Sequence, residues 1–573
     1  MAVLISNILR YNYPLPGTWY LIPNTSFYYF CPMPNRYSHL IIFYSLIFCN
    51  HASNAQYSFQ RLIGGVSQER GQALFQTSDG GYLYDGATLS YGAGSADCFF
   101  VKTDSLGNLV WSAVYGTSSY DNAEYAIQAY DNSILGVGRT FFPGNTTSDA
   151  LLFKTDSVGH LLWGKTYGSG NNEGIPFMIE TRDHGYALIG ATQSIGAGSE
   201  DILFIRTDEN GDTLFTRAYG TAESEVGLSI AEDAQGGFVI CGKQTLIIGG
   251  LPYADGFILK TDASGDLVWS NLYGDSLWEE LQSIQIASSG DIVTCGSITS
   301  FGAGKYDILA MRTDSLGAVR WGKTYGGAEI DASYGIIQNA DSTYTLSGYT
   351  NSRGYGHENR GDDSTNIFLM KINSLGDTIW TRTYGDGLQD EAYRNNPTAD
   401  GGYLVSGFTT NYAFQDSAQM ILIKTDSLGF TGCHEFTSHP ILGDAPLVAR
   451  PVSFVQSSGI SPANINLIQL FVNTDNEDAC LYTSNQQLRT SSRSFLFPNP
   501  SEERVSIQFP AQERVKKCEI SDLQGREIQV LGVDENADSG SATFSVASLV
   551  SGVYLFRINF ENGAAEVLKM IKQ

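Results

Sequence analysis

The hexapeptide KTDSLG occurs at Lys102–Gly107 and again, letter for letter, at Lys424–Gly429. Five related hexapeptides lie between them: KTDSVG from Lys154, RTDENG from Arg206, KTDASG from Lys260, RTDSLG from Arg312 and KINSLG from Lys371. Successive copies are 52, 52, 54, 52, 59 and 53 residues apart. A period near 50 residues with strand-like content predicts stacked or radial β units.

The repeat that starts at Glu225 shows what one unit contains. EVGLSIAEDAQGG is typical of a strand that enters a Gly-Gly turn, FVICGKQ of a second strand and DGFILKTD of a third. ASGD has the pattern of a tight hairpin turn, and LVWSNLYG that of a fourth strand. Four antiparallel strands repeated around an axis make a propeller blade. A solenoid is the alternative, but it needs capping repeats, and the sequence shows none.

The two ends of the repeat region complete each other. FQRLIGG at Phe59–Gly65 aligns with the fourth-strand peptide WGKTYGG at Trp321–Gly327, so the chain begins with a fourth strand that has no first three. After the last KTDSLG the chain reads FTGCHE, and the last unit lacks its fourth strand. We therefore predict an all-β fold: a seven-bladed β-propeller over residues 56–433, closed by its N-terminal strand.

Short motifs in the units resemble the β-propeller repeats of bacterial secreted proteins. Those repeats carry YGG, an acidic residue four positions later, and then a GGY strand. Here the first motif is Tyr325-Gly326-Gly327 with Asp331, and the second is Gly401-Gly402-Tyr403 with Gly407. The resemblance covers about residues 57–430 and implies a fold rather than an activity.

The N-terminal region has the pattern of a secretory signal peptide. Arg36 precedes an apolar run from Leu40 to Cys49, and small residues lead to a predicted cut after Ala55. This run is too short to span a bilayer. It also lies far into the chain for a signal peptide, so we expect translation to start at Met33. Residues 1–55 are then a gene-model extension followed by the signal peptide.

One position is acidic in all seven units, 17 residues before a repeated glycine. The residues are Glu69, Asp121, Glu173, Glu225, Glu279, Asp331 and Asp390. Their repetition predicts a carboxylate ring at one mouth of a central channel, and one interpretation of this ring is a ligand face for a cation or polyol. The alternative is that each carboxylate binds the amides of its own loop. The repeated Lys or Arg of the hexapeptide should instead pair locally, on the opposite face.

Unit 6 is longer than the others, and its extra residues lie in Ser352–Asn366. The polar candidates of this loop are His357, Glu358, Asp362 and Asp363. One His among acids is a weak metal signal, and a surface insertion is the alternative. No nucleophile–base motif stands out, so we predict no catalytic, cofactor-binding or metal residues.

Residues 434–494 are expected to form an extended linker or β segment, broken by prolines. Cys433 and Cys480 bracket it, and an exported chain permits a disulfide between them. From residue 495 to 573 the repeats stop and alternating strands predict a small β-sandwich.

The motifs of this last region resemble the C-terminal sorting domain of type IX secretion cargo from Bacteroidota. The matching residues are Pro498, Asn499, Pro500, Asp522, Gly525, Arg526, Leu549, Gly552, Val553, Tyr554, Gly563 and Lys569. The resemblance implies transport through the periplasm by the type IX secretion machinery, followed by release or attachment at the cell surface.

Composition narrows the function. A formal charge of −26 disfavours nucleic acid and anionic lipid as partners, and no mature segment is apolar enough for membrane insertion. We expect a monomeric, noncatalytic module that binds an extracellular glycan or protein. The alternative is a propeller hydrolase or lyase that acts on extracellular polymers.

Overall fold

A computed structural model describes residues 57–572 with gaps at 143, 145, 276, 353–363, 386–388, 411–417, 434, 473, 480–494, 498–503, 509–514, 522–526, 532–540, 551 and 561–564. The described residues are all-β and contain no α-helix. None of their segments is a helix long and apolar enough to cross a membrane.

Each unit contributes a first, second, third and fourth strand. The first strands are β2 (Glu69–Gln76), β6 (Asp121–Gln128), β10 (Glu173–Glu180), β14 (Ser224–Glu232), β18 (Glu279–Ile286), β22 (Asp331–Gln338) and β26 (Asp390–Pro397). The second strands are β3 (Tyr82–Thr88), β7 (Ile134–Phe141), β11 (Tyr186–Thr192), β15 (Phe238–Ile248), β19 (Ile292–Ile298), β23 (Tyr344–Thr350) and β27 (Tyr403–Thr409). The third strands are β4 (Asp97–Thr103), β8 (Ser148–Thr155), β12 (Asp201–Thr207), β16 (Leu251–Thr261), β20 (Asp307–Thr313), β24 (Asn366–Ile372) and β28 (Gln419–Thr425). The fourth strands are β5 (Leu109–Gly116), β9 (Leu161–Gly168), β13 (Thr213–Gly220), β17 (Leu267–Tyr273), β21 (Val319–Gly326), β25 (Thr378–Tyr384) and, for unit 7, β1 (Phe59–Gly64).

The strands form seven antiparallel sheets, which we number 1 to 7 after their units. The first strand of each sheet contacts the first strand of the next, and a contact between β26 and β2 closes the series. The predicted pairing of the two chain fragments is confirmed, because β1 pairs with β28 in the register Phe59 to Lys424. We call the face where the first strands begin the loop face, and the face with the tight turns after the first and third strands the hairpin face.

The segment predicted to be an extended linker or β segment adds a fifth strand to every sheet. Its strands are β29 (Glu435–Thr437), β30 (Ile441–Asp444), β31 (Arg450–Pro451), β32 (Val455–Ser457), β33 (Ser461–Asn464), β34 (Ile468–Phe471) and β35 (Asp475–Asp478). They pair in turn with the fourth strands of sheets 6, 5, 4, 3, 2, 1 and 7. We call residues 435–478 the belt. The expectation of four strands per sheet was wrong. Each fourth strand would otherwise have unpaired outer backbone groups, and the belt strands pair with these groups.

Apolar belt residues also fill the clefts between neighbouring sheets. Leu447, Phe454, Ile460 and Leu467 are buried, and each belongs to a hydrophobic cluster that joins two sheets. Since the belt has little apolar material of its own, it is stabilised by burying these side chains against the sheets.

The glycine that ends the hexapeptide accepts a hydrogen bond from a buried tyrosine on the fourth strand of the preceding unit. Tyr167 donates a hydrogen bond to the carbonyl of Gly211 at 2.7 Å, and Tyr273 to that of Gly317 at 2.8 Å, each in the next unit. These glycines have positive φ, which a side chain would strain. β1 has no such tyrosine, and at that junction belt residue Asn476 donates to the carbonyl of Gly107 at 2.9 Å.

The ion pairs expected on the hairpin face are confirmed in all seven units. Each hexapeptide Lys or Arg pairs with the turn aspartate between the first two strands of its own unit. The pairs are Lys102–Asp79, Lys154–Asp131, Arg206–Asp183, Lys260–Asp233, Arg312–Asp291, Lys371–Asp341 and Lys424–Asp400.

The described strands of the C-terminal region form two further sheets. One contains β36 (Phe495–Phe497), β37 (Arg504–Gln508) and β40 (Ser541–Ser545). The other contains β38 (Val515–Ser521), β39 (Glu527–Leu531), β41 (Gly552–Phe560) and β42 (Ala565–Lys572). The rings of Phe544 and Phe556 connect the two sheets at 5.7 Å.

Candidate functional site

The seven repeated carboxylates lie at the beginning of the first strands, and each is at most 2% exposed. The amide of Gly65 donates to Glu69 at 2.9 Å, and that of Gly327 to Asp331 at 2.8 Å. Amides of the corresponding loops also donate to Asp121, Glu225 and Glu279. In these five units the carboxylate thus accepts an amide of its own loop, and second-strand side chains such as Thr88 and Thr350 also donate to it.

Several other predicted residues lie outside the described part of the chain. These are Met33, Ala55, His357, Glu358, Asp362, Asp363, Cys480, Pro498, Asn499, Pro500, Asp522, Gly525, Arg526 and Gly563. Cys433 is not among the free thiols. Gly552, Val553 and Tyr554 begin β41, Leu549 is buried just before it, and Lys569 lies in β42. Within the described residues, no group of three or more His, Cys, Asp or Glu side chains could hold a metal ion.

Further buried aspartates start several third strands and lie beside the ring carboxylates. Asp307, for example, lies next to Asp331 across Gly326, where a Cβ would clash with Asp307. Burial raises the pKa of both carboxyls, and Asp307 raises that of Asp331 further. The same direction holds for Glu69, Asp97, Asp121, Asp149, Glu173 and Glu225.

These shifts predict that thermal stability decreases as the pH rises from 5 to 8. A carboxyl whose pKa is raised in the folded state binds its proton more tightly there than in the unfolded state. Its contribution to the free energy of unfolding is therefore complete below about pH 4 and is lost as the pH rises through the folded pKa. Thermal melts at constant ionic strength measure this, and Glu69→Gln should flatten the profile. A melting temperature that increases over this range would contradict the prediction.

The turn aspartates of the hairpin face stabilise the fold with the opposite dependence on pH. Burial raises the pKa of aspartates such as Asp79 and Asp400, but turn hydrogen bonds and the paired cation lower it by a larger amount, so the net pKa is lowered. Their contribution is present above about pH 4 and is lost in acid. The two groups therefore act in opposite directions: acid removes the contribution of the hairpin-face aspartates, and rising pH removes that of the buried loop-face carboxyls.

An aromatic cluster lies on the loop-face half of the first two strands of sheets 6 and 7. The ring of Tyr334 is 6.0 Å from that of Tyr349 and 5.3 Å from that of Tyr393. Tyr393 lies 6.2 Å from Phe408, and its hydroxyl donates to Glu391 at 3.5 Å. The three tyrosines are half-buried. We call these five residues the tyrosine cluster.

Charged side chains border the tyrosine cluster on both sides. The guanidinium of Arg70 lies 5.3 Å from the ring of Phe408. On the other side, Lys243 pairs with Glu280 at 3.2 Å and lies 5.0 Å from the ring of Trp278. Burial raises the pKa of Glu391, while Arg70 lowers it. Half-buried rings beside carboxylates can stack on apolar faces and accept hydrogen bonds from hydroxyls.

The tyrosine cluster breaks the sevenfold symmetry, and a sequence signal could have revealed it. Three residues after the ring carboxylate, units 6 and 7 carry Tyr334 and Tyr393. The same position in the other units holds Gln72, Glu124, Pro176, Leu228 and Gln282. An alignment of the units shows that this position differs between them, whereas the position of the repeated acids is the same in all seven.

Comparison with known families finds one match. Residues 495–573 match the secretion system C-terminal sorting domain. No curated protein matches the chain. The domain supports a type IX secretion substrate and implies interaction with that machinery, and with it export to the cell surface or secretion.

Proposed function

We propose that the seven sheets are the blades of a closed β-propeller that the sorting domain delivers to the cell exterior, where its loop face binds a glycan without chemical conversion. Support for the ring comes from the cyclic contacts of the first strands and from β1, which belongs to sheet 7. The tyrosine cluster is the observation that carries the binding role. It is the place where the loop face departs most from a scaffold common to all units.

The chemistry of the tyrosine cluster favours a glycan over a protein ligand. Rings of Tyr334 and Tyr393 offer apolar faces for the C–H face of a sugar, and the nearby carboxylates of Glu391 and Glu280 accept hydrogen bonds from hydroxyls. The hydroxyl of Tyr393 donates its hydrogen to Glu391, so its oxygen can accept a hydrogen bond from a sugar hydroxyl. Few convergent polar groups among aromatic side chains are typical of small-ligand sites.

Alanine substitution of Tyr393 should weaken glycan binding at least tenfold, because one stacking face and one hydroxyl are removed. A glycan array with the exported protein identifies ligands, and titration calorimetry then compares affinities. Tyr130→Ala is the matched control, because Tyr130 is a 55% exposed tyrosine beside a hairpin-face turn. Equal affinity of wild type and Tyr393→Ala for every ligand on the array would refute the proposed site.

A secreted hydrolase is the second candidate, and one observation favours it. Burial raises the pKa of Glu391, as a general acid requires, and Tyr393 is within hydrogen-bonding distance of it. A panel of chromogenic glycosides tests this candidate. Turnover by wild type that Glu391→Gln abolishes would replace the noncatalytic proposal.

The belt supports the predicted disulfide between Cys433 and Cys480. The side-chain amide of Gln60 on β1 donates to the carbonyl of Cys433 at 2.6 Å. Ala479, the neighbour of Cys480 in the chain, is buried in one cluster with Leu62 of β1. Both ends of the belt thus meet at β1. A bridge there closes about 48 residues and contributes roughly 4 kcal/mol on the chain-entropy estimate.

Peptide mapping of the exported protein under nonreducing conditions should yield a peptide that joins Cys433 and Cys480. Reduction should lower the melting temperature of wild type but not that of a Cys433→Ser/Cys480→Ser variant. Alkylation of both cysteines in the native protein would exclude the bridge.

A further inference from the structure

A second departure from symmetry lies deeper, where each first strand has a β-bulge. Four positions after the ring carboxylate, the seven units carry Ala73, Tyr125, Phe177, Ser229, Ser283, Gly335 and Arg394. Four of these residues are small, and Arg394 is the only one with a charge. Its guanidinium lies 5.6 Å from the ring of Tyr125 and 4.9 Å from that of Phe177.

The side chain of Arg394 therefore reaches across to other units. It donates to the carbonyl of Tyr334 in unit 6 at 2.8 Å. Cys241 of unit 4 and Cys295 of unit 5 lie near it, and it interacts electrostatically with Asp85 in unit 1. The small residues at the equivalent positions leave room for it. Protein surrounds the guanidinium, and the residue as a whole keeps partial solvent exposure.

Within the described residues, two aromatic rings and one carbonyl compensate part of the charge of Arg394. A guanidinium has five N–H donors and stays charged in proteins, but the described hydrogen bond uses one carbonyl. No carboxylate of the described residues forms an ion pair with it, whereas Arg206, Arg312 and Arg450 each have one. An enclosed cation without a counter-ion is costly, and an anion that pairs with it offsets this cost.

We infer that Arg394 binds the carboxylate of an acidic sugar whose ring lies on the tyrosine cluster. The guanidinium donates to the backbone carbonyl of Tyr334, and the ring of Tyr334 lies 5.3 Å from that of Tyr393, so the proposal places the sugar carboxylate next to the tyrosine cluster. A guanidinium binds a carboxylate through two parallel hydrogen bonds. One cation beside acidic residues matches a single negative charge better than a phosphate dianion. This inference deepens the proposed glycan binding and rests on it.

Asp85 makes this site dependent on pH. It occupies the second-strand position that holds Val137, Ile189, Cys241, Cys295, Ser347 and Ser406 in the other units. Its Oδ1 accepts the amide of Ala73 at 2.9 Å. The charged and titratable groups that face it are Arg394, Tyr125 and Cys98. Burial raises the pKa of Asp85 to about 7, against the lowering effect of Arg394. Above this pH, the ionised Asp85 compensates Arg394 and competes with the ligand.

Titration calorimetry with sodium glucuronate, glucose and sodium chloride tests the inference on the full exported chain. At pH 6, wild type should bind glucuronate at least tenfold more tightly than glucose. At pH 8, its affinity for glucuronate should be several-fold lower than at pH 6. Arg394→Met should remove the preference for glucuronate, and Asp85→Asn should remove the pH dependence. Arg320→Met is the matched control, because Arg320 is 54% exposed and pairs with Asp291 at a hairpin turn.

The outcomes separate the two proposals. Glycan binding that depends on Tyr393 but shows no preference for glucuronate overturns the role of Arg394 and leaves the proposed function standing. Equal effects of chloride and glucuronate assign the site to a free anion and also overturn the inference. Melting temperatures distinguish a ligand-binding role of Arg394 from a purely structural one. If the charge is uncompensated, Arg394→Met should retain the wild-type melting temperature in low-salt buffer. If it melts lower and glucuronate does not stabilise wild type, Arg394 is structural and the inference fails.

Discussion

Deletion of Gln56–Gly65 should abolish cooperative unfolding of the repeat region. β1 lies inside sheet 7, with β28 on one side and β35 on the other. It buries Phe59, Leu62 and Ile63, which are at most 3% exposed. Burial of three such side chains contributes about 5–9 kcal/mol, comparable to the net stability of a whole domain. The deletion also leaves the edge of β28 unpaired, which favours aggregation.

Point variants distinguish the loss of β1 packing in sheet 7 from the mere removal of ten residues. Ile63→Asp places a charge at a fully buried position of β1, whereas Val66→Asp changes a residue that is 77% exposed two positions after the strand. We expect the first variant to lose its cooperative transition and the second to melt within about 2 °C of wild type, as surface substitutions do. Calorimetry and size-exclusion chromatography give the readout. A monomeric deletion variant with the wild-type transition would show that β1 does not close the ring.

The repeated parts of the fold could be predicted because each repetition has a local physical cause. Hexapeptide glycines such as Gly107, at φ +77°, must adopt a backbone conformation that favours glycine. The hexapeptide Asp accepts turn amides, as Asp104 does from Leu106 and Asn108. Such requirements recur in every unit with the same or chemically similar residues, as where Asn373 accepts the turn amides in unit 6, so the period, the turns and the pairing of β1 with β28 follow from the sequence.

The belt could not be predicted in the same way. Its strands have two to four residues, and they bind through backbone groups that any sequence supplies. Its anchors Leu447, Phe454, Ile460 and Leu467 are six or seven residues apart, but four positions are too few to distinguish from chance.

The candidate site escaped prediction for a related reason. Tyr334, Tyr393 and Arg394 matter because they differ from the equivalent residues of other units. Their proximity depends on contacts between the first strands of different units, and the spacing within a single unit does not contain that information.

Removal of the belt should destabilise every sheet at once. A chain of residues 56–432 lacks the belt and the C-terminal region, whereas a chain of residues 56–485 lacks the C-terminal region alone. We expect the longer chain to unfold in one transition and the shorter one to melt at least about 10 °C lower or to aggregate, because all seven sheets lose their outer strand. Equal melting temperatures of the two chains would mean that the belt follows the fold without supporting it.

A single anchor tests the belt without truncation. Phe454 is 7% exposed, and its ring lies 5.7 Å from that of Phe257 on β16. Phe454→Ala should cost about 3 kcal/mol, at the lower end for a buried phenylalanine because the site is at the periphery. Val448→Ala is the matched control, since Val448 is a belt residue that is 68% exposed. Each belt strand is too short to bind alone, so loosening one anchor should increase the protease sensitivity of neighbouring belt segments before the sheets unfold. Limited proteolysis of both variants measures this, and identical cleavage rates would show that the belt strands dock independently.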